Sequence, residues 1–421
     1  MHQWTLGIQH DVKGTLFSVR YVGNHGSSLL RSVDYNQVLY NANGFLADFL
    51  RAQNNAALAQ SAGLGYNGAY NAGVPGSQQL TVFPLIGNSG NFGNSTIQTY
   101  LKQGQIGELA NSYMTGRTNG SVNFYPNPSA QSAYVVTNGG SSTYHGLQAE
   151  VTRRTRGGLQ MQFSYTFSKT LSNTTGDLQT GLEPLLDNSN PGLEYARSPY
   201  DVKHAFKANY YYELPFGKGK KFSGNRLQNL LVGGWAVSGI WSYHAGSPYS
   251  ILSGYGTLNR GTRSTGTNTA SVAGTDWATL APLTTGVFMT GNGPYFVSPS
   301  IINPSDKRGA AQAGSAPFAG EVFYNPTAGN VGNLQRRMFS GPWQWSWDAS
   351  VVKSFQITER HKLDMHLDVT NWMNHPTFYV YPSSGDYGTA TPSTVNSTSF
   401  GKIQYMNYDP RILQIGAYYR F

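Results

Sequence analysis

The sequence predicts an all-β fold, and three features favour an antiparallel transmembrane β-barrel over a soluble sheet protein. Residues 411–421 alternate between apolar side chains and small or polar ones, which is the period of a β-strand. About ten residues is the length that a tilted strand needs to cross a bilayer. Charged residues make up only 12%, with 50 Gly and 28 Tyr, as suits Gly-rich loops and aromatic rims. Further alternating segments are joined by short and long connections in turn.

Composition narrows the possible classes of protein and partner further. No stretch approaches 18 apolar residues, so no transmembrane helix is expected, and barrel strands are weak hydropathy signals in any case. The chain has no Cys, which excludes disulfides and thiolate metal sites. The net charge of +9 suits nucleic acid or anionic lipid, but no Lys/Arg run is long enough to favour nucleic acid. We therefore expect no nucleic-acid partner.

The beginning of the chain predicts a hairpin followed by a long loop. Residues 2–9 and 15–22 alternate as two strands around a short turn. Residues 23–143 show little regular alternation and are rich in Asn, Gly, Ser and Tyr. Within them, Gly44–Gln60 has apolar residues at helical spacing. We predict a helix packed inside a large loop.

The clearest hairpin joins residues 145–152 to residues 159–168. Its second strand is apolar on one face and polar on the other over ten residues, which is longer than the five or six usual in soluble sandwiches. Length therefore favours a barrel. The remaining predicted strands are 203–213, 235–243, 345–355, 362–370 and 411–421. We expect about ten strands, in an antiparallel transmembrane β-barrel portion.

The lengths of the connections predict the topology. The short or moderate ones are 10–14, 154–158, 214–231 and 356–360, and the long ones are 23–143, 170–202, 244–344 and 372–410. Outer-membrane barrels have short periplasmic turns and long extracellular loops. The last strand is therefore expected to run inward and to end with Phe421 at the periplasmic rim.

The first residues, MHQWTLGIQ, have no positive region, apolar run or cleavage site of a signal peptide. The predicted first strand also runs inward, although a barrel begins at the periplasm. We expect residues 1–421 to be the C-terminal portion of a longer barrel, with no plug, signal peptide or separate soluble domain, and we expect the barrel to be incomplete.

Several segments of the chain resemble the Oar-like TonB-dependent outer-membrane receptors. They are QWTLGIQ, RYVGNHGSSLLRSVDYNQ, GFLADFLRAQNN, STYHGLQAEVTRRTRGGLQMQFSYTFSKTLSN, DVKHAFKANYYYELPFGKGKKF, GGWAVSGIWSYHAGSPY, DVTNWMNHPTF and the terminal strand. The matches cover about half of the chain in a fixed order. The resemblance implies the last part of a large barrel in a protein whose missing N-terminal part carries a plug and the TonB contact.

Candidate catalytic and metal-binding residues are few. Asp364, His366 and Asp368 share one strand face, which could form a metal or proteolytic site; alternation alone already requires a polar barrel interior, and we favour that interpretation. His375 could be a metal ligand, but Pro376 favours a turn at the outer end of a strand. We predict no enzyme activity, no catalytic or metal site and no cofactor.

Other residues suggest surface functions. The basic stretch 218–221, KGKK, faces the periplasmic leaflet in the predicted topology, where it meets anionic headgroups or water. Most Tyr and Trp residues suit the interfacial girdle of a barrel. Four loop tyrosines are candidate ligand contacts: Tyr66, Tyr70, Tyr255 and Tyr295. The apolar face of the last strand is a candidate outer-membrane assembly signal: Leu413, Ile415, Ala417, Tyr419 and Phe421.

The leading functional hypothesis is part of an outer-membrane receptor that imports or binds a large nutrient ligand. Its expected location is the bacterial outer membrane. The expected partners are outer-membrane lipid, the barrel assembly machinery, an unknown extracellular ligand, and TonB only through the missing plug. Two alternatives remain: a self-contained ten-strand barrel acting as a surface protease or adhesin, and a soluble secreted β-sandwich. Pairing of the first strand with the last would favour the self-contained barrel.

Overall fold

The computed structural model describes residues 1–174, 184–260, 268–274, 276–380, 392–407 and 410–421. Its main feature is an antiparallel sheet in which nine long strands follow one another in chain order. They are β1 (His2–Val12), β2 (Thr15–Asp34), β3 (Tyr134–Arg156), β4 (Leu159–Ser172), β5 (His204–Glu213), β6 (Trp235–His244), β7 (Gln344–Gln356), β8 (Lys362–Thr370) and β9 (Ile412–Arg420). A tenth strand of two residues, Ala196–Arg197, pairs with β4. The prediction of about ten antiparallel strands is confirmed.

One face of the sheet is apolar and uncovered. The register aligns the apolar positions of neighbouring strands, as where Val151 of β3 pairs with Phe163 of β4. Many of these side chains are exposed, among them Leu6, Ile8, Phe17, Val19, Leu147, Phe167, Trp241, Met365, Leu413 and Ile415. A soluble protein rarely exposes so large an apolar patch. The soluble sandwich is therefore wrong, because in the described chain no second sheet covers this face.

The opposite face is polar along the same strands. Glu150 pairs with Ser164 across β3 and β4, and Ser350 pairs with Asp368 across β7 and β8. Alternation with a period of two places these residues on the side away from lipid. The polar face therefore corresponds to the inner wall of a barrel.

Short connections lie at one end of the sheet. Lys13–Gly14 and Gly157–Gly158 are two-residue hairpin turns in which all four residues have positive φ. This matches the turn type whose twist fits paired strands, and Gly adopts it without steric cost. The connection 214–234 contains a short helix, Arg226–Val232, and residues 357–361 form the last short turn. The predicted alternation of short and long connections is confirmed.

The two strands flanking the first long connection are longer than predicted. β2 continues to Asp34 and β3 begins at Tyr134, so the long connection spans 35–133 rather than 23–143. Register shifts lie between Gly26 and Leu29 and between Leu29 and Arg31. A bulge breaks strict alternation, and for this reason the sequence pattern ended early.

The long connections fold together at the other end of the sheet. Their helices are α1 (Phe45–Ser61), α2 (Ser95–Lys102), α3 (Ile106–Thr115) and α5 (Trp277–Thr284), while α4 (Arg226–Val232) belongs to a short connection. Helix α1 confirms the predicted helix at 44–60. Short strands are Pro248–Tyr249, Ser271–Val272, Phe288–Thr290, Gly293–Tyr295, Phe323–Tyr324, Phe339–Ser340, Thr377–Tyr379 and Tyr405–Asn407. We call the described residues of 35–133, 184–203, 245–343 and 371–407 the cap.

The cap has two hydrophobic cores. The first is built around α1, α2 and α3, and Leu186, Leu258 and Ala328 reach it from two other connections. The second lies within 249–339 and receives Val380 and Phe400 from the last long connection. The sequence predicted 244–344 only as a long connection, because a core built from non-periodic loops leaves no periodic signal.

The described strands form an open sheet. β1 pairs with β2 and β9 pairs with β8, and no pairing between β1 and β9 occurs within the described residues. All residues of β1 are exposed. Helices long and apolar enough to cross a membrane are absent from the described part of the chain.

Candidate functional site

The polar face of the sheet borders a cavity of about 580 Å³. Its lining includes hydroxyl, amide and carboxylate side chains from six strands: Thr152, Gln162, Asn209, Ser238, Ser350 and Asp368. These groups come together because each occupies the same phase of the strand alternation. Such a surface suits water or a polar solute rather than lipid.

Two of the three candidate residues of β8, Asp364 and His366, contact different neighbouring side chains. Asp364 is buried, accepts a hydrogen bond from Ser354 Oγ at 2.5 Å, and forms ion pairs with Lys362 and Arg420. His366 meets the ring of Tyr418 edge-on, at 5.0 Å between centroids. Among the described residues, no group of three His, Cys, Asp or Glu side chains is placed to hold a metal ion. Asp364 joins β8 to β9 instead.

His375 lies in a turn after β8, as the sequence indicated. Its backbone N–H donates to Asn371 Oδ1 at 2.9 Å, and its ring stacks on Trp345 at 4.2 Å between centroids. Asn371 and Asn374 have positive φ, which ends the strand direction there. The next strand, Thr377–Tyr379, begins after Pro376.

Packing accounts for three of the four candidate tyrosines. Tyr66 packs on the first core, and burial raises its pKa to about 12. Burial also raises the pKa of Tyr255 to about 12, while the positive charge of nearby Arg308 acts to lower that pKa. Tyr295 pairs with Phe288 in a hairpin and packs on the second core. Their function as ligand contacts stays a prediction.

Tyr70 lies in a more suitable place for a ligand. It is 44% exposed and borders a cavity of about 480 Å³. The floor includes Phe83 and Phe92, whose ring centroids are 4.7 Å apart. The rim is formed by exposed, neutral amide side chains: Asn67, Gln79, Asn88 and Asn91. Aromatic surfaces with a few orienting polar groups are typical of small-molecule sites.

The backbone at this cavity is unusual. Asn88, Ser89 and Asn91 all have φ near +50°, a left-handed conformation that non-Gly residues seldom adopt. The turn is nevertheless held in place, because Tyr113 Oη donates to Gly90 O at 2.8 Å from within the core. Backbone strain that the surrounding structure maintains tends to cluster at binding sites. The side-chain amides of Asn88 and Asn91 leave no periodic signal in the sequence, since both residues belong to this turn.

A buried ionic network joins the cap to the outer ends of the strands. Glu194 is 2% exposed, lies 3.6 Å from the guanidinium of Arg31 at the end of β2, and pairs with Arg336 from another connection. Its Oε1 also accepts from the N–H of Leu186 at 2.7 Å. Two connections and the outer end of β2 therefore meet at one carboxylate, which fixes the cap relative to the sheet.

The terminal strand has the predicted alternation. Ile415 and Phe421 are 78% and 92% exposed on the apolar face, and Leu413 and Tyr419 share that face. Tyr419 Oη lies 2.7 Å from His361 Nδ1 in the last short turn. The geometry leaves this face open to lipid; its function as an assembly signal stays a prediction.

Comparison with known proteins identifies the family. The family model described as "Outer membrane beta barrel domain" matches residues 1–414. The chain belongs to this family. It is thus an outer-membrane protein, which confirms the location predicted from the sequence. Among curated proteins, none matches the chain.

Solved structures that resemble the chain are much longer. FpvA of P. aeruginosa, bound to a heterologous pyoverdine and iron, is 11% identical with a TM-score of 0.33. The outer membrane transporter YddB from Escherichia coli is 8% identical with a TM-score of 0.35. The alignments include 99% of this chain but only 26% and 32% of those chains. Likeness at this level carries no inference about ligand or activity.

Proposed function

We propose that the chain forms the C-terminal part of the barrel of an Oar-like, TonB-dependent receptor, and that its cap binds an extracellular nutrient for import. The observation that carries the proposal is the shared folding of the long connections into one cap at the end of the sheet opposite to the short connections. Long loops of outer-membrane barrels lie outside the cell. The cap is therefore in position to meet ligands first.

The construction of the cap supports a binding function. Loops that share a core present their surface groups in a fixed arrangement, which lowers the entropy cost of binding. The cavity at Tyr70 offers an exposed ring together with amide donors and acceptors. In this proposal the cap captures the ligand, the polar face forms part of the inner wall, and TonB acts through a plug that lies outside residues 1–421.

The open sheet favours part of a larger barrel over the self-contained barrel. The latter needs β1 to pair with β9, whereas each has one neighbour within the described residues. The protease version also needs Asp364 for chemistry, and this carboxylate is engaged by Ser354, Lys362 and Arg420.

Deletion of the gene in its host tests the proposal whichever nutrient the cap binds. Growth is compared on single peptide, glycan and chelated-iron sources, in cells with and without functional TonB. We expect slower growth on at least one source, and we expect this deficit to disappear in cells without TonB, because receptor and TonB act in series. Normal growth on every source, or a deficit that persists without TonB, would contradict the proposal.

A second arm examines the cavity. Tyr70→Ala in the otherwise intact chain should reproduce the deficit of the deletion. The matched control is Tyr35→Ala, which removes a tyrosine that is 58% exposed and lies outside the cavity. Both variants must reach the cell surface in normal amounts, measured by labelling of intact cells. Equal growth of the two variants would exclude the Tyr70 cavity as the ligand site.

A further inference from the structure

The connection between β5 and β6 lies on the lipid-facing side of the sheet. We call residues 214–234 the inner connection, because they join strands at the end opposite to the cap. Lys353 of β7 reaches this segment. It pairs with Trp235 of β6 and Met365 of β8, so its side chain starts from the apolar face. Helix α4 therefore covers that face near its inner end.

Lys353 binds the C-terminal end of α4 through hydrogen bonds. Its Nζ donates to Leu230 O at 2.7 Å, to Leu231 O at 3.2 Å and to Gly233 O. These carbonyls belong to the C-terminal end of the helix, where backbone acceptors lack partners within the helix and the dipole favours a cation. The ammonium group also lies 5.1 Å from the ring of Trp235 and 5.0 Å from that of Phe355.

This arrangement explains a lysine on a lipid-facing surface. A cation on the lipid face of a barrel is strongly unfavourable at the midplane and costs little near the interfaces. Lys353 is only 7% exposed, and three carbonyl oxygens satisfy its ammonium group. Trp235 Nε1 donates to Leu231 O at 3.0 Å and adds a second attachment. The helix is thus attached to the apolar face at the end of the sheet opposite to the cap.

The outer surface of the inner connection is apolar and uncovered. No residue of α4 is buried. Its exposed side chains are Leu227 at 65%, Leu230 at 52%, Leu231 at 62% and Val232 at 50%, joined by Phe222 at 53%. In water this patch would be unfavourable, whereas it continues the lipid-facing band of the strands. A bilayer at this level would bury it.

The inner connection also carries cations close in sequence to the apolar patch. Lys218, Lys221 and Arg226 have no carboxylate partner within the described residues, while Lys220 is paired with Glu213 at 2.6 Å. Lys221 Nζ lies 5.4 Å from the ring of Phe222. An apolar helix face bordered by Lys and Arg is typical of segments that lie in the headgroup region of an anionic bilayer.

We infer that the inner connection is an interfacial anchor that binds anionic phospholipid of the inner leaflet, with α4 embedded at headgroup depth. Leu227, Leu230 and Leu231 supply the apolar contact, and Lys218, Lys221 and Arg226 meet the phosphate groups. Lys353 is a positioning residue, since it acts through the helix and does not contact headgroups.

Fluorescence quenching in vesicles tests the depth of α4. The chain has no Cys, so Leu231→Cys in the full chain carries a single environment-sensitive dye. Vesicles contain phosphatidylcholine with or without phosphatidylglycerol. We expect quenching by spin-labelled lipid and protection from aqueous iodide. The matched control, Glu359→Cys in the exposed turn 357–361, should be open to iodide. A dye at 231 that iodide quenches and spin-labelled lipid does not would overturn the inference.

A second comparison tests headgroup recognition. Spin-labelled phosphatidylglycerol should quench the dye at 231 severalfold better than spin-labelled phosphatidylcholine at equal mole fraction. The triple variant Lys218→Gln, Lys221→Gln, Arg226→Gln should abolish this preference, whereas Lys307→Gln in the cap should preserve it. Equal quenching by both lipids in the parent chain would exclude anionic recognition, and this result needs no variant to fold.

A third comparison isolates Lys353. Lys353→Met suits lipid but leaves the helix carbonyls without their donor, so the dye at 231 should become open to iodide. Lys353→Arg should restore protection, because guanidinium also donates to carbonyl groups. Unchanged protection in the Met variant would refute the positioning role.

Discussion

Asp48 of α1 offers a sharp test of the cap, because one buried carboxylate organises a distant turn. Its side chain is fully buried and accepts hydrogen bonds from the N–H groups of Thr81, Val82 and Phe83, each at 2.8 Å. Arg51 forms an ion pair with it at 2.7 Å. Asp48→Ala would remove every one of these acceptors while preserving helix propensity.

The magnitude follows from the donors that remain. The N–H groups of Val82 and Phe83 lie on buried residues, and a buried unsatisfied donor costs about 1–3 kcal/mol. Thr81 and Arg51 are partly exposed and can bind water instead. We expect Asp48→Ala to destabilise the cap by about 3–5 kcal/mol, in the range found when one partner of a buried charged network is removed.

Native-state hydrogen exchange in the full chain measures this loss. The reporters are the backbone amides of Ala56 and Ala59, on the buried side of α1, whose helical acceptors are the carbonyls of Ala52 and Asn55 rather than Asp48. Their protection should fall by about two to four orders of magnitude. The matched control, Gln60→Ala, changes an exposed residue of the same helix and should have almost no effect. A change below tenfold for Asp48→Ala would refute the reasoning.

Three further outcomes are expected. Burial opposes ionisation of Asp48, but the backbone donors of Phe83, Thr81 and Val82, together with Arg51, hold its pKa below the ordinary value. The unfolded chain therefore binds more protons than the folded chain at acidic pH. Cap stability should be constant above about pH 5 and should fall as the pH drops through about 3.9. Exchange measured against pH checks this, and stability rising with acidity would contradict it. Glu194→Gln should lower cap stability by about 3–5 kcal/mol, because Arg31 and Arg336 lose a buried counter-charge. Limited proteolysis measures this loss: the cap should be cut faster while the sheet stays intact. Phe421→Ala should reduce the amount of protein in the outer membrane severalfold if the terminal strand is an assembly signal, and normal amounts in membrane fractions would reject that function.

The sequence predicted the sheet well because lipid imposes a simple rule. A strand between lipid and a polar interior must alternate, and the segment 159–168 does so over its whole length within β4. The prediction failed where the rule ends. β2 and β3 continue beyond the bilayer with a bulge, so their outer halves have no clean period.

Most of the cap could not be predicted from the sequence, for a different physical reason. Its stability depends on contacts between residues far apart in sequence, such as Asp48 with the turn at 81–83 and Glu194 with Arg31 and Arg336. No local pattern encodes such partners. The helix at Phe45–Ser61 was predictable because its apolar spacing is local, and Tyr70 was named without the amides around it.

Accessibility along β4 tests the central claim, that this chain is a barrel wall with lipid on its apolar face, most directly. Single Cys residues at positions 160–165, each spin-labelled in the otherwise Cys-free chain, report collisions with oxygen in lipid and with a nickel chelate in water. We predict high oxygen accessibility at Met161, Phe163 and Tyr165, and high nickel accessibility at Gln160, Gln162 and Ser164. Equal accessibility at all six positions, or the reverse alternation, would contradict the account.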